Sequence, residues 1–274
     1  MTEIDLCMSG SGLRLGGHVG GLLALEELGY RPRRIIATSG GAIVAGVYAS
    51  GMPVKDIKDV FSELNLAKLR SFRPWNFWGN GGIYSNKKLH DYLLGLTGGK
   101  KMKEVTFDFQ VCACDVTTNQ LIIISKENYP DMTIAEAITV SASIPVYFGY
   151  KIVSDPKSGR KLRLMDGALI KNYPIDVLKD EGRLLVGLWI RSENKVETQK
   201  TWSIFRYLNN VVNASLDALS REHIEDAQWA NTVPIVIEGI SAVNFNLTQS
   251  QKEKMIEIGY NAVMEKLKPD ERNY

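Results

Sequence analysis

The stretch that most constrains the fold is an abrupt change from strand-like to helix-like sequence at residues 34–42, RIIATSGGA. An apolar, β-branched run ends at Ser39, two glycines follow, and residues 42–49 have the composition of a helix. This order predicts a nucleophile elbow, in which a buried strand turns sharply into a helix and presents a Ser hydroxyl. The hydroxyl would lie at the helix N-terminus, where backbone N–H groups and the helix dipole favour negative charge. The alternative is that residues 39–41 form only a loop.

Ala37 departs from the usual pattern of such an elbow, which is Gly-x-Ser-x-Gly. The position two residues before the Ser must be small, because the strand and helix backbones nearly touch there. Alanine is small enough for this position, so Ala37 does not remove the prediction for Ser39.

A second glycine-rich turn, SGSGLRLGGH at residues 9–18, follows a short apolar strand at residues 4–8. Such a turn presents backbone N–H groups to an anion, either the phosphates of a dinucleotide or the oxyanion of a reacting ester. A dinucleotide site requires an acidic residue about 20 positions further on. Residues 37–39 are Ala-Thr-Ser, so an NAD(P)-binding protein is excluded. We therefore interpret the turn as a set of oxyanion donors facing Ser39.

The general base is predicted to be a carboxylate, because the three histidines are poorly placed for a triad. His18 opens a helix, His90 lies in a predicted amphipathic helix, and His223 lies in a strongly charged segment. None follows a late strand within a loop, where a triad histidine is expected. Asp166 ends a predicted strand and is followed at once by Gly167, which suits a side chain that points into a site.

Three blocks together resemble the signature of the patatin-like phospholipases, and two further stretches agree with them. The blocks are residues 10–14 (GSGLR), 38–41 (TSGG) and 166–168 (DGA), and the further stretches are 114–119 (CDVTTN) and 137–148, which contains SASIP. The resemblance extends over residues 4–178, and the blocks occur in the order of the family. One departure is Ser11, which replaces the middle of three glycines and would be strained if its φ were positive.

The resemblance implies a lipid acyl hydrolase with a Ser–Asp dyad and no cofactor. Ser39 would be the nucleophile and Asp166 the general base. The implied oxyanion donors are Gly10, Ser11, Gly12 and Gly40, and the supporting residues are Arg14, Gly41 and Gly167. Arg14 would anchor the turn, bind a lipid phosphate or form a structural salt bridge. The alternative function is a catalytically weak or inactive lipid-binding or regulatory protein that kept this fold.

Strands and helices alternate along the chain, which predicts an α/β fold: a three-layer sandwich with a mostly parallel central sheet covered by helices. We expect one domain over residues 1–274, with C-terminal helices at 203–226 and 249–267. Residues 147–152 are predicted to form one strand, joined to a strand at 161–165 by a hairpin turn.

Composition restricts the partners. The net charge of +2 is too small to favour nucleic acid. The N-terminus lacks the pattern of a signal peptide, and no apolar run approaches the ~20 residues of a transmembrane helix. Of the three cysteines, Cys7 and Cys112 lie in apolar strand patterns, which indicates buried, reduced thiols rather than a metal site. We therefore expect a cytoplasmic protein whose partner is a phospholipid or another acyl lipid.

Residues 69–82, LRSFRPWNFWGNGG, combine four aromatic residues with two arginines and flexible glycines. This composition is typical of a surface that lies at a lipid interface, with indoles at headgroup depth and cations near phosphates. It predicts peripheral membrane contact through this segment. The alternative is that the aromatic rings only cap the core.

Overall fold

The computed structural model describes residues 1–178, 181–192 and 231–268, and these form a mixed sheet with helices packed on it. The strands are β1 (Thr2–Met8), β2 (Tyr30–Thr38), β3 (Ser71–Phe72), β4 (Gly82–Ser85), β5 (Asp108–Asp115), β6 (Gln120–Ile124), β7 (Val146–Phe148), β8 (Lys151–Ser154), β9 (Lys161–Asp166), β10 (Leu184–Arg191) and β11 (Thr232–Val236). The helices are α1 (Leu15–Glu27), α2 (Ser39–Ala49), α3 (Val54–Glu63), α4 (Phe77–Asn80), α5 (Lys87–Leu96), α6 (Ile134–Ser141) and α7 (Gln249–Leu267).

The main sheet has the strand order β11-β10-β1-β2-β5-β9-β8, and β6 also pairs with β5. Strands β11, β10, β1, β2 and β5 are mutually parallel, whereas β6 and β9 run antiparallel to β5. The parallel strands are apolar runs that are buried on both faces, as is usual for a covered parallel sheet. This confirms the predicted α/β fold with a mostly parallel sheet.

Strands β2 and β9 meet end to end along the same edge of β5. The last residue of β2, Thr38, pairs with Cys112, and the last residue of β9, Asp166, pairs with the next residue of β5, Ala113. Because β2 runs parallel and β9 antiparallel to β5, their C-terminal ends point toward each other. The register of β5 therefore places residue 39 and residue 166 side by side.

Helix α1 packs closely on α7, and glycines make the contact possible. A Cβ atom on Gly20 would overlap the Ile256 carbonyl oxygen, and one on Gly259 would overlap the Gly17 carbonyl oxygen. α1 is therefore buried over most of its length between the sheet and α7. The prediction of a helix over residues 249–267 is confirmed, whereas the one predicted at 203–226 lies outside the described residues.

The single strand predicted at residues 147–152 is wrong, because the chain divides there between two sheets. β7 pairs with β4 in a small sheet of order β3-β4-β7, while β8 forms the predicted hairpin with β9. The chain turns at Gly149 and Tyr150, where the Tyr150 N–H donates to the carbonyl oxygen of Asn80 at 3.1 Å. The small sheet thus connects residues 71–85 to the segment that precedes β8.

Candidate active site

Ser39 occupies a sharp turn at the first residue of α2, directly after β2. Its φ of 50° lies in the left-handed region, which a non-glycine residue adopts at a steric cost and which is found at strained functional sites. Ala37, fully buried two residues earlier, is accommodated. The alternative of a simple loop is wrong, because residues 39–41 form the first turn of a helix.

Two glycines allow the Ser39 turn to touch the first glycine-rich turn. A Cβ atom on Gly40 would overlap the Gly12 carbonyl oxygen, and one on Gly41 would overlap the Ser9 carbonyl oxygen. The two turns predicted to face each other are therefore in direct backbone contact. Only glycine at 40 and 41 permits this approach without moving one of the turns.

Asp166 is hydrogen bonded to Ser39 at the point where β2 and β9 meet. The Ser39 hydroxyl donates to Asp166 Oδ2 at 2.7 Å, and the Ala168 N–H donates to Asp166 Oδ1 at 2.9 Å. Both side chains are buried, with residue exposures of 3%. Burial raises the pKa of Asp166 to about 7, against the opposing effect of the two hydrogen bonds. A carboxyl group with this pKa can accept and return a proton near neutral pH.

The first glycine-rich turn offers fewer donors than predicted. The Gly10 N–H donates to the carbonyl oxygen of Asn172 at 2.8 Å, so it holds the turn in place and cannot serve as an oxyanion donor. In the described part of the chain, the N–H groups of Ser11 and Gly12 have no hydrogen-bond acceptor. The positive φ falls on Gly12, at 57°, and not on Ser11. Serine at position 11 therefore introduces no backbone strain.

Arg14 anchors this turn, which is one of the three alternative roles that the sequence suggested for it. Its backbone N–H and its Nε both lie 3.2 Å from the Ser11 carbonyl oxygen, and the residue is 4% exposed. Because a peptide carbonyl and the N–H that follows it point in opposite directions, fixing the Ser11 carbonyl also fixes the Gly12 N–H. The burial of Arg14 argues against a direct contact with lipid phosphate.

An apolar cavity adjoins Ser39, and about 70 Å³ of it is open to the centres of water-sized spheres. Gly12, Ser39 and Gly40 from the two glycine-containing turns are part of its lining. The rest of its wall is made of aliphatic and aromatic side chains, among them Leu15, Ile43, Val44, Val47, Ile57, Phe61, Leu66, Leu69, Leu93, Leu96, Ile144, Phe148 and Phe245. Ser39 therefore adjoins a space whose apolar walls suit an alkyl chain.

A family model, Patatin-like phospholipase, matches residues 6–179, which is more than half of the chain. The chain belongs to the patatin-like phospholipase family. Membership supports lipid hydrolase activity in general terms and confirms the resemblance found in the three sequence blocks.

Two relatives of similar length share about a quarter of their residues with this patatin-like chain. The uncharacterized protein YqhO of Bacillus subtilis is 28% identical over 93% of this chain and 95% of its own length. The uncharacterized protein R571 of Acanthamoeba polyphaga mimivirus is 26% identical over 96% of this chain and 93% of its own length.

Solved structures share the fold at low sequence identity. VipD from Legionella pneumophila superposes with a TM-score of 0.63 at 16% identity, covering 96% of this chain and 66% of VipD. The type III effector ExoU superposes with a TM-score of 0.55 at 16% identity, covering 97% of this chain and 52% of ExoU. The chain therefore spans about two thirds of the first and half of the second.

Neither described histidine of this patatin-like chain is hydrogen bonded to Ser39 or Asp166. The Nε2 of His18 lies 2.8 Å from the Ser9 carbonyl oxygen and must carry the proton, because a carbonyl only accepts. Burial lowers the pKa of His18 to about 4, so the ring is neutral and structural. His90 lies on α5 with its Nδ1 3.4 Å from Asp91 Oδ1. His223 lies outside the described residues.

Several residues that hold Ser39, Asp166 and the first glycine-rich turn received no individual role from the sequence. Ser141 Oγ accepts the Ser39 N–H at 2.8 Å and donates to the Cys112 carbonyl oxygen at 2.6 Å. The carbonyl of Ser143 accepts the Asp166 N–H at 3.2 Å. The SASIP block was the available signal for both serines. Ala242, whose carbonyl accepts the Leu13 N–H at 2.7 Å, gave no signal in the sequence.

Two features are absent from residues 1–178, 181–192 and 231–268. No helix there combines the length and apolar content needed to cross a bilayer. No group of three or more His, Cys, Asp or Glu side chains there is arranged to hold a metal ion.

Proposed function

We propose that this patatin-like protein hydrolyses fatty acyl esters of lipids, in the manner of a phospholipase A, through an acyl-enzyme on Ser39. The observation that carries the proposal is the 2.7 Å hydrogen bond to Asp166 Oδ2 from the hydroxyl of Ser39, which lines an apolar cavity. It joins an activated nucleophile to a base and to a space for the acyl chain.

In the acylation step, the ionised Asp166 carboxylate takes the hydroxyl proton while Ser39 Oγ bonds to the ester carbonyl carbon. The carbonyl oxygen becomes an oxyanion, for which the N–H groups of Ser11 and Gly12 are the proposed donors. The Gly40 N–H at the start of α2 is a further candidate, because the first N–H groups of a helix have no intrahelical acceptor. Losing one such donor typically raises the barrier by ~3 kcal/mol. Collapse of the intermediate breaks the bond to the alcohol oxygen, which leaves with the proton from Asp166.

In the deacylation step, Asp166 takes a proton from a water molecule while the water oxygen bonds to the acyl carbon. The second oxyanion uses the same donors, and its collapse breaks the bond to Ser39 Oγ. The proton on Asp166 returns to Ser39 Oγ, and a fatty acid is released. Both steps use the same pair of side chains, which is why one carboxyl group with a pKa near neutrality suffices.

The substrate class follows from the walls of the cavity. Its lining is aliphatic and aromatic beyond the two turns, so it favours an alkyl chain over a polar acyl group. An ester of a fatty acid fits this lining, and a phospholipid supplies such an ester. The headgroup would remain outside the part of the cavity that these apolar residues enclose.

The test is release of fatty acid from phosphatidylcholine and phosphatidylglycerol vesicles, measured by mass spectrometry for the wild type and for Ser39→Ala. We expect release by the wild type and none above background by Ser39→Ala. Lipid binding without release by the wild type would contradict the proposal and favour the alternative, a lipid-binding protein that lost turnover.

A further inference from the structure

The segment of residues 69–82, named here the aromatic lip, exposes its large apolar side chains. Phe72, Trp75, Phe77 and Trp78 are 62%, 69%, 45% and 90% exposed. The lip comprises β3, a 3-10 turn at Pro74–Asn76 and α4, and it ends at the start of β4. The alternative that these rings cap the core is wrong. Large apolar groups exposed together are typical of a binding surface.

The lip belongs to a stretch that carries only positive charge. Residues 64–82 contain one lysine and two arginines and neither Asp nor Glu. Lys68 and Arg73 are exposed. Arg70, expected to reach a phosphate, instead stacks its guanidinium on the rings of Tyr84 and Phe245, with centroid distances of 4.6 and 4.3 Å. A surface of this kind, aromatic and cationic without acidic groups, is complementary to anionic headgroups.

The lip is continuous with the wall of the cavity that holds Ser39. Leu69 at its start lines the cavity, as do Phe148 on β7 and Phe245 beneath Arg70. β7 pairs with β4, the strand that follows the lip. Whatever binds the lip is therefore held close to the cavity wall that Leu69, Phe148 and Phe245 form.

We propose that the aromatic lip docks onto an anionic lipid surface, with Trp75 and Trp78 at headgroup depth and Arg73 and Lys68 facing phosphates. Indole rings prefer the region between headgroups and acyl chains. A second copy of the chain is a poorer occupant, because a self-complementary contact would bring like charges together with no acidic group in this stretch to balance them. The proposal deepens the proposed function by naming the surface that supplies the substrate, but docking itself requires no turnover.

The test is cosedimentation of the Ser39→Ala protein with vesicles of phosphatidylcholine alone or mixed equally with phosphatidylglycerol. The lip variant adds Trp75→Ala and Trp78→Ala to this background. Since each indole would remove on the order of 100 Å² of apolar surface from water, affinity for mixed vesicles should fall at least about tenfold. Equal binding by the lip variant and its parent would overturn the proposal.

The matched control is Leu184→Ala, which removes another exposed apolar side chain. Leu184 begins β10, at the edge of the parallel sheet opposite to the dyad, and its replacement should leave vesicle affinity unchanged. An equal loss with Leu184→Ala would mean that the aromatic lip is not the docking surface. If the double substitution lowers the melting temperature, the single change Trp78→Ala decides, because this residue is 90% exposed. Reduced binding by it supports the proposal, and full binding overturns it.

Two further experiments test the role of positive charge and the possibility of self-association. Arg73→Gln should weaken binding to mixed vesicles more than to phosphatidylcholine alone, because the expected partner is a phosphate-rich anionic surface. Light scattering would overturn the proposal if it shows that the Ser39→Ala parent is a dimer and the lip variant a monomer while vesicle binding is unchanged. The lip would then be a contact between two copies of the chain. Vesicle binding by Ser39→Ala together with no fatty acid release by the wild type would remove the proposed function but leave the lip proposal standing.

Discussion

The pair Ser39–Asp166 and the aromatic lip differ in how much of their side chains water can reach. Ser39 and Asp166 are 3% exposed, and backbone and side-chain partners from β5, α6 and the 166–168 turn fix both residues. Trp75 and Trp78 are 69% and 90% exposed on short elements. The buried pair gains a raised pKa from its surroundings, whereas the exposed pair leaves a large apolar surface in water.

This difference implies that chemistry and lipid capture are separable properties of the chain. Substitutions in the buried region should change the rate and pH dependence of ester cleavage on any substrate. Substitutions in the lip should act mainly through binding to aggregated lipid. Aggregated lipid reports on both properties together, whereas a short, monomeric ester reports on the buried region alone.

The largest effect is expected for Asp166→Asn. An amide cannot accept the Ser39 proton, so kcat on a monomeric ester should fall by about 10²-fold or more. The fold should persist, because Asn can retain the hydrogen bond from Ala168. His90→Ala is the control and should keep wild-type turnover. Full activity of Asp166→Asn, with a loss in a histidine variant, would point to a triad in place of the dyad.

The next effect is expected for Gly40→Ala. The added Cβ would overlap the Gly12 carbonyl oxygen and would push the two turns apart. Because displacing a reacting group by about 1 Å can cost about 10²-fold in rate, kcat should fall by about that factor. Gly95→Ala is the matched control, since a Cβ there meets nothing within 4 Å. It should keep turnover and stabilise α5 by about 0.5–1 kcal/mol. Equal behaviour of the two variants would show that the contact between the turns is unimportant.

A smaller effect is expected from pH. Burial raises the pKa of Asp166 to about 7, and the base must be ionised, so kcat/KM should fall about tenfold per pH unit below that value. Rising pH should therefore increase activity, but it should decrease the stability of the folded protein. The folded protein binds this proton more tightly than the unfolded chain, so the contribution of Asp166 to stability is lost as pH rises from about 4 to 7.

Asp166→Asn removes this ionisation, so it should raise the melting temperature relative to wild type more at about pH 8 than at about pH 5. The measurement is thermal unfolding of both proteins at the two values. Two results would contradict the environment assigned to Asp166. One is a kcat/KM that falls only near the ordinary pKa of a carboxylate, and the other is a difference in melting temperature that does not change with pH.

Sequence alone was informative where local pattern fixes geometry. The β-branched run, the Ser and the two glycines predict a strand that turns into a helix at Ser39, and the structure has α2 beginning at this residue. The Asp-Gly pair likewise predicts that a strand ends at Asp166. The distance between the two side chains could not be predicted, because it depends on the register of both strands along β5.

Other features depend on contacts between distant segments. Gly10 was expected to donate to an oxyanion, but the carbonyl of Asn172 takes its N–H. Arg70 was expected to face phosphate, but Phe245 provides a ring beneath it. In both cases the partner lies more than 100 residues away in the chain, and no periodicity or motif in the sequence predicts the contact. The division of residues 147–152 between two sheets has the same cause, since β7 finds its partner in β4.

Labelling with a fluorophosphonate, followed by peptide mass mapping, tests the central claim most directly, because the reagent modifies an activated Ser and needs no lipid surface. The wild type should take up one equivalent per chain on the peptide that contains Ser39, and Ser39→Ala should take up none. Undiminished labelling of Ser39→Ala, or modification of Ser141 or Ser143 in the wild type, would contradict the assignment of Ser39 as the nucleophile.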